Sequence, residues 1–216
     1  KAFIDLLSTT FYYTFFGTVG AIVFGILSAQ MVNQNFRGRS FIRSTLLFPY
    51  VAPVVALAFT WELLLDPNSG TLNNLLLNYN IIDKPINLLG QKYVSIFVFG
   101  FEFKLRLALT TVIIFEIWRY FPLAFLFILA RLQAVPKELY EAADIDGAGP
   151  YTKFMNITLP QITAVISILF MNRFIWNFNK FEDIFLLNGG ASGTRTLPIN
   201  VYEQGFSIGD IGMGSA

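Results

Sequence analysis

The sequence predicts an all-α polytopic membrane protein, and its composition and charge distribution support this fold class. Of the 216 residues, 55% are hydrophobic and only 13% are charged, whereas soluble domains carry about 25% charged residues. The charged residues are also unevenly distributed, since none occurs between Asp5 and Arg37. Long uncharged runs of this kind are typical of helices that cross a bilayer.

The composition also excludes several kinds of chemistry. The chain contains no Cys and no His, which excludes disulfides, Cys/His zinc sites, His-dependent catalytic triads and thiol nucleophiles. No cluster of Asp and Glu has the spacing of a metal site, and the net charge of +1 does not suggest a nucleic-acid partner. We therefore expect no catalytic residue and no metal site in this chain.

Four apolar segments are predicted to span the membrane, at about residues 6–32, 44–65, 107–130 and 160–181. In the first, Gly17, Gly20 and Gly25 predict close contact with a neighbouring helix. In the second, Pro49 and Pro53 predict a kink. The fourth is expected to begin near Pro160 and to end near Phe181.

The charged residues in the loops predict which side of the membrane each loop lies on. Residues 33–43 contain Arg37, Arg39 and Arg43 and no acidic residue, which places this loop in the cytoplasm under the positive-inside rule. Counting from there, residues 66–106 are external, residues 131–159 are cytoplasmic and the chain from Asn188 is external. Residues 97–103 are apolar enough to form a buried or interfacial segment. Because the sequence starts with Lys1 and ends without an apolar run, we expect further spans on both sides of it.

The loop at residues 135–160 predicts a helix, a sharp turn and a second helix. Pro136 suits a first helical turn, Gly147 and Gly149 can end that helix, and Pro150 can begin another. A solvated interhelical loop would account for two turns of helix. It would not account for Gly, Pro and Ala at fixed steps, nor for the small side chains of Ala142 and Ala143, which would let a partner approach the backbone.

The spacing of this loop resembles that of a known family. It matches the EAA loop of bacterial binding-protein-dependent ABC importer permeases at Glu141-Ala142-Ala143, Gly147, Ile157 and Leu159-Pro160. Asp146-Gly147-Ala148 is similar to the carbohydrate-uptake, maltose-type subclass. Further similar residues lie on either side of the loop: Asp66-Pro67, Gly70, Leu72, Asn73, Glu116 to Arg119, Phe178, Phe181, Gly189-Gly190, Thr196 to Pro198 and Tyr202. Ala191 departs from the pattern, since many of these permeases have Pro there.

The resemblance implies an importer type I permease core in the bacterial cytoplasmic (inner) membrane. It implies ATPase-coupling roles for the loop residues Glu141, Ala142, Ala143, Asp146, Gly147, Ile157, Leu159 and Pro160. The implied partners are a second permease subunit, two ABC ATPase subunits and an extracytoplasmic solute-binding protein, and the solute is a sugar or oligosaccharide. The chain has no GxxxxGK[ST] phosphate-binding motif, so ATP and Mg²⁺ are expected on the ATPase and no cofactor is expected here.

The fourth apolar segment carries the candidate substrate pathway. Arg173 lies about 12 residues into it, or ~18 Å, which is close to the middle of a ~30 Å hydrocarbon core. Asn172 and Trp176 share one helix face, and Arg173 and Asn177 share an adjoining face. Amides and an indole suit a sugar, but the same residues would also serve as packing against partner helices.

Glu116 and Arg119 leave a further alternative open. They are three residues apart on one helix and can pair, which favours a structural role. With Arg173 they could instead form the polar centre of an ion-coupled transporter or a membrane-embedded enzyme. Within the importer class, a permease for an amino acid, phosphate or metal is the other alternative.

Overall fold

The computed structural model describes residues 2–98, 101–209 and 212, and nearly all of its regular structure is helical. The longer helices are α1 (Ala2–Asn33), α2 (Arg39–Val51), α3 (Val54–Leu65), α5 (Leu107–Gln133) and α8 (Leu159–Phe178). The shorter helices are α4 (Thr71–Asn78), α6 (Lys137–Ile145), α7 (Pro150–Lys153), α9 (Glu182–Asn188) and α10 (Leu197–Tyr202). Two π-helical segments, Phe154–Thr158 and Glu203–Ser207, continue α7 and α10.

Three helical stretches in the described part of the chain are long and apolar enough to cross a membrane. They are Phe3–Asn33, Leu107–Gln133 and Pro150–Phe178, and α2 with α3 make a fourth if they are counted as one bent span. The all-α prediction is confirmed, and helices lie where the first and third apolar segments were expected.

The second apolar segment differs from the expected single kinked helix. The chain bends between α2 and α3, and Pro53 forms the N-cap of α3. Pro53 has no N–H to donate, and its ring disfavours a helical conformation of the residue before it, so the helix ends at Val51. Pro49 is held inside α2.

In the fourth segment α8 begins at Leu159, within one residue of the expected start near Pro160. The chain is nevertheless helical without a break over Pro150–Phe178. In the π-helical segment the Leu159 N–H bonds the carbonyl of Phe154, five residues back, and this wider turn accommodates the proline that follows. The helix ends at Phe178, three residues before the expected Phe181, and the Lys180 N–H then bonds the Asn177 carbonyl at 3.2 Å.

A β-hairpin in the predicted external loop is an element that the sequence did not predict. Strands β1 (Val94–Val98) and β2 (Phe101–Leu105) pair antiparallel, with Val94 opposite Leu105. The described residues of the apolar segment at 97–103 lie in these two strands. Its expected burial falls outside the described residues.

The chain divides into two compact units. The first unit comprises Lys1–Gly17, Ala52–Glu116 and Trp176–Ala216, and the second comprises Thr18–Val51 and Ile117–Ile175.

In the second unit, an apolar core forms among α1, α5 and α8. It contains Ala21, Ile22, Ala29, Val32, Phe121, Ala124, Phe125, Ile128, Leu129, Leu132, Ile162 and Leu169. Leu46 and Leu47 of α2 pack against this core. The helices approach closely at Gly25, where an added Cβ would lie 2.6 Å from the Ala124 Cβ and 2.9 Å from the Phe125 backbone N. The expected glycine contact is therefore present.

The first unit is tied together by polar contacts. The buried Asn73 side chain accepts a hydrogen bond from the Ile86 N–H and donates one to the Ile86 carbonyl, both at 2.9 Å. The Thr10 hydroxyl accepts a hydrogen bond from the Leu197 N–H at 2.9 Å, which joins α1 to α10. The Trp61 ring meets the Phe115 ring edge-on at 5.3 Å between centroids. These bonds give buried backbone groups the partners that they need.

We predict that Gly25→Ala destabilises the protein by about 1–3 kcal/mol, because the new methyl group would overlap backbone atoms of α5 that cannot rotate away. Thermal unfolding of the detergent-purified protein would measure the loss. Gly205→Ala is the matched control, since a Cβ there meets nothing within 4 Å. Equal melting temperatures for the two variants would contradict the close-contact interpretation.

Candidate functional site

Residues 135–160, called the coupling segment here, adopt the expected helix, turn and helix. Pro136 is the N-cap of α6, Gly149 is the N-cap of α7, and Pro150 is the first residue of α7. Gly147 has φ +73°, a conformation that favours glycine. The Ala148 N–H bonds the Ala143 carbonyl at 2.8 Å and the Gly147 N–H bonds the Asp144 carbonyl at 3.1 Å. This pattern is a Schellman motif, so Gly147 fixes the end of α6.

Two side-chain contacts hold the turn. Lys153 of α7 forms an ion pair with Asp144 of α6. The Tyr140 and Thr158 hydroxyls share a hydrogen bond of 3.0 Å, which joins α6 to the π-helical segment. The ion pair is partly exposed and contributes less than about 1 kcal/mol, so the backbone geometry at Gly147 is the stronger constraint.

The coupling segment presents an open surface. Among the described residues of α6, none is buried. Ile145 is 88% exposed, and Tyr151 is 73% exposed. Glu141, Ala142 and Asp146 are exposed, and Ala143 is half-buried. An apolar tip surrounded by acidic side chains is typical of a surface that another protein covers.

The remaining predicted coupling residues lie where the segment joins α8. Ile157 is half-buried in the π-helical segment, and Pro160 is exposed at the start of α8. Leu159 packs against the core of the second unit. Arg131 of α5 reinforces this junction by donating two hydrogen bonds to Gln161, at 2.9 Å to its carbonyl and at 2.6 Å to its side-chain oxygen.

The structure places the predicted substrate-pathway residues on two faces of α8, as their spacing indicated. Asn172 is exposed and Trp176 is 56% exposed. Arg173 is only 2% exposed, and its guanidinium lies 4.1 Å from the centre of the Tyr120 ring. This cation–π contact supports a packing role for Arg173.

Asn177 is buried in the first unit. A Cβ added at Gly17 would lie 3.2 Å from its Nδ2. The substrate role of these residues stays a prediction, and the structure leaves the Asn172–Trp176 face open for it.

A buried charge cluster in the first unit was missed from the sequence. The Tyr13 hydroxyl donates to Glu116 Oε2 at 3.1 Å. Lys180 Nζ lies 3.5 Å from the same oxygen and 3.1 Å from Asp183 Oδ2. Both carboxylates are fully buried, so the Lys180 ammonium offsets much of their desolvation cost.

The sequence contained one signal for this cluster. Lys180 and Asp183 are three residues apart at the start of a helix, a spacing that allows two side chains to pair. The expected pairing of Glu116 with Arg119 stays a prediction.

The family-like residues of the predicted first external loop, Asp66 and Gly70 among them, have structural roles. Asp66 Oδ1 accepts hydrogen bonds from the Ser69 N–H and hydroxyl and from the Asn68 N–H, at 2.7, 2.9 and 2.9 Å. The Ser69 N–H is the largest of the causes that hold the pKa of Asp66 below its usual value. Gly70 is required by close approach, because a Cβ there would lie 2.3 Å from the Asp66 carbonyl oxygen.

Asn188 organises the turn that contains Gly189, Gly190 and the unusual Ala191. Its amide donates to the Leu89 carbonyl at 3.2 Å and to the Ala191 carbonyl at 3.3 Å. Thr194 donates to its side-chain oxygen at 2.9 Å. The turn is therefore closed by side-chain hydrogen bonds, with Ala191 in the position where Pro was expected.

The sequence that forms this arrangement is similar to that of a known transport family. The family of binding-protein-dependent transport system inner membrane components matches residues 21–205, which includes the whole coupling segment. The chain belongs to this family. The EAA-like spacing indicated the same family of inner membrane components.

Two curated relatives illustrate the similarity. The chain is 34% identical over 207 residues to the inner membrane ABC transporter permease protein YcjO of Escherichia coli K12, covering 96% of this chain. It spans 66% of the length of that relative. It is 31% identical over 220 residues to the trehalose/maltose transport system permease protein MalF of Thermococcus litoralis, covering 98% of this chain and 70% of the relative.

Solved structures agree on the fold. A bacterial ABC transporter involved in the import of the acidic polysaccharide alginate contains a chain that matches with a TM-score of 0.84 at 21% identity. The match covers 100% of this chain and 72% of that one. The permease fold predicted from the resemblance is confirmed.

We predict that Lys180→Met destabilises the permease by about 3 kcal/mol, because it removes a positive charge from two fully buried carboxylates. Thermal unfolding in detergent would measure the loss. Lys84→Met, an exposed lysine of the same unit, should leave the melting temperature unchanged. If both substitutions had equal effects, the buried cluster would not stabilise the fold.

Proposed function

We propose that this chain is a membrane-spanning subunit of an ATP-driven importer for a sugar or oligosaccharide. In this proposal an extracytoplasmic binding protein delivers the solute, and the complex contains a second permease subunit and two ATPase subunits. ATP and Mg²⁺ bind to the ATPase subunits, and this chain supplies no catalytic residue.

The exposed coupling segment is the observation that supports the proposal most directly. A short helix that buries no side chain gains little stability from its own chain, and Ile145 places an apolar side chain in solvent. Burial under a partner would remove that apolar surface from water, and Glu141 and Asp146 would supply charged contacts. An ATPase subunit on the cytoplasmic side is the partner that the family implies.

The mechanism follows from how the segment is connected. The Schellman turn at Gly147 and the Lys153–Asp144 pair keep α6 and α7 in a fixed geometry. Closure of the ATPase subunits would therefore move the segment as a rigid body, and α7 continues without a break into α8. Binding energy gained at the ATPase surface would be used to reorient the helices that line the pathway.

Two sources support the sugar class. The relative MalF of Thermococcus litoralis is a trehalose/maltose transport system permease protein. On α8, the exposed Trp176 offers an apolar face to a pyranose ring, and Asn172 offers hydrogen bonds to hydroxyl groups.

A permease for another solute class is the second candidate. The chain is 33% identical over 227 residues to the sn-glycerol-3-phosphate transport system permease protein UgpA of Yersinia pestis. An ATPase assay of the assembled complex across mono- and oligosaccharides and glycerol 3-phosphate would separate the two candidates. An ion-coupled transporter would instead follow an ion gradient without ATP or a binding protein.

We predict that Glu141→Lys leaves the permease folded and abolishes most of the solute-stimulated ATP hydrolysis, because it reverses a charge on the surface proposed to contact the ATPase. The ATPase rate and the retention of the ATPase on purified permease would both be measured. Asp83→Lys reverses an exposed acidic residue of the predicted external loop and should have no effect. A normal stimulated rate in Glu141→Lys would remove this residue from the coupling surface.

We predict that Asn172→Ala and Trp176→Ala each lower solute uptake by proteoliposomes at least several-fold without preventing assembly of the complex. Met171→Ala is the matched control, because Met171 is 65% exposed on the same helix and offers no hydrogen bond or ring face to a sugar. Uptake and the elution profile of the complex would be compared. Unchanged uptake in both variants would discard this face as part of the pathway.

A further inference from the structure

The second unit contains a basic cavity that neither the family nor the predicted pathway explains. Its volume is about 410 Å³, and it lies where α1 and α5 end and where α2 and α6 begin. Arg39, Arg43 and Lys137 line it together with the Tyr140 side chain, and none of its lining residues is acidic. Three cations around an open cavity repel one another unless an anion is bound between them.

The hydrogen bonds in the cavity leave donors available. Arg39 Nη1 donates to Asn35 Oδ1 at 2.8 Å, and Arg43 Nη2 donates to the Val32 carbonyl at 3.3 Å. Arg43 Nε is buried and has no hydrogen-bond partner in the described part of the chain. A buried donor without an acceptor costs free energy, and a bound anion would remove that cost.

The surroundings indicate where the anion comes from. α1 and α5 are long enough to cross the membrane, and they end at Asn33 and Gln133 beside the cavity. On α2, Leu46 and Leu47 pack against the core, whereas Phe41 and Phe48 are exposed. An apolar outer face next to basic residues is typical of a helix that starts at the headgroup level of a bilayer. The positive-inside rule assigns this level to the cytoplasmic leaflet.

We propose that this cavity binds the headgroup phosphate of an anionic phospholipid of the cytoplasmic leaflet, held by Arg39, Arg43 and Lys137. The phosphate oxygens would accept hydrogen bonds from the two guanidinium groups, and the Lys137 ammonium would add a point charge. Basic cavities between membrane helices on the cytoplasmic side bind such headgroups in other proteins.

The site would also connect the lipid to the coupling segment. Lys137 is the first residue of α6, and Tyr140 lies one turn further along the same helix. A bound lipid would therefore fix the start of α6 at the membrane surface. This consequence rests on the proposed function, whereas lipid binding itself can be measured without any transport or ATP hydrolysis.

The test is native mass spectrometry of the purified membrane protein, together with reconstitution into nanodiscs of phosphatidylcholine with and without phosphatidylglycerol. We expect the wild type to retain phosphatidylglycerol in preference to phosphatidylcholine. Replacing Arg39, Arg43 and Lys137 one at a time by Gln should weaken phosphatidylglycerol binding about fivefold each, and the triple replacement should abolish the preference. Arg37→Gln is the matched control, since Arg37 belongs to the same loop but does not line the cavity.

The results of these binding measurements distinguish a phospholipid site from a site for a soluble anion. Retention by the triple variant, or an equal loss in Arg37→Gln, would overturn the proposal. Displacement of the bound species by inorganic phosphate, with no preference for phosphatidylglycerol over phosphatidylcholine, would identify a soluble-anion site and would also overturn it. Arg43→Lys keeps the charge but loses the guanidinium hydrogen bonds, so its binding should lie between that of the wild type and that of Arg43→Gln. Thermal unfolding of each variant checks that a loss of binding is not a loss of folding.

Discussion

The close contact between α1 and α5 at Gly25 is the constraint on which the second unit depends. With no Cβ on Gly25, the α1 backbone lies against Ala124 and Phe125 of α5, and the apolar core then closes around this contact. In a hydrocarbon environment apolar side chains gain little by leaving the lipid, so helices associate through close packing of small residues. The ends of these helices set the level from which α2 and α6 begin, and hence the positions of the basic cavity and of the coupling segment.

The first unit meets a different requirement, which is to bury charge. Glu116 and Asp183 are completely buried, and the Lys180 ammonium and the Tyr13 hydroxyl lie against them. Burying a carboxylate is tolerated only when an opposite charge and hydrogen bonds come with it. The helix α8 ends at Phe178, and the turn after it brings Lys180 back onto Glu116, so this ion pair also determines the direction of the following chain.

Local patterns predicted more of this structure than contacts between distant residues did. Uncharged runs located α1 and α5, because the cost of placing charge in hydrocarbon acts on each helix separately. Gly147 and Pro150 located the coupling turn, because φ and capping are decided within a few residues.

The charge cluster and the basic cavity depend on segments far apart in sequence, such as Tyr13 with Glu116 or Arg43 with Lys137. Residue spacing along one helix or strand does not predict contacts between such distant segments. Pro160 located the start of α8, and the π-helical turn at Phe154–Thr158 directly before it continues the helix back to α7. That same turn determines how the coupling segment would pass on a displacement. Because the π-helical turn at Phe154–Thr158 leaves the helix unbroken from α7 into α8, a displacement of the coupling segment would be passed on to α8. The two hydrogen bonds from Arg131 to Gln161 lie directly after this turn and tie α8 to the end of α5. A displacement that reaches α8 would therefore be passed on to the end of α5 as well.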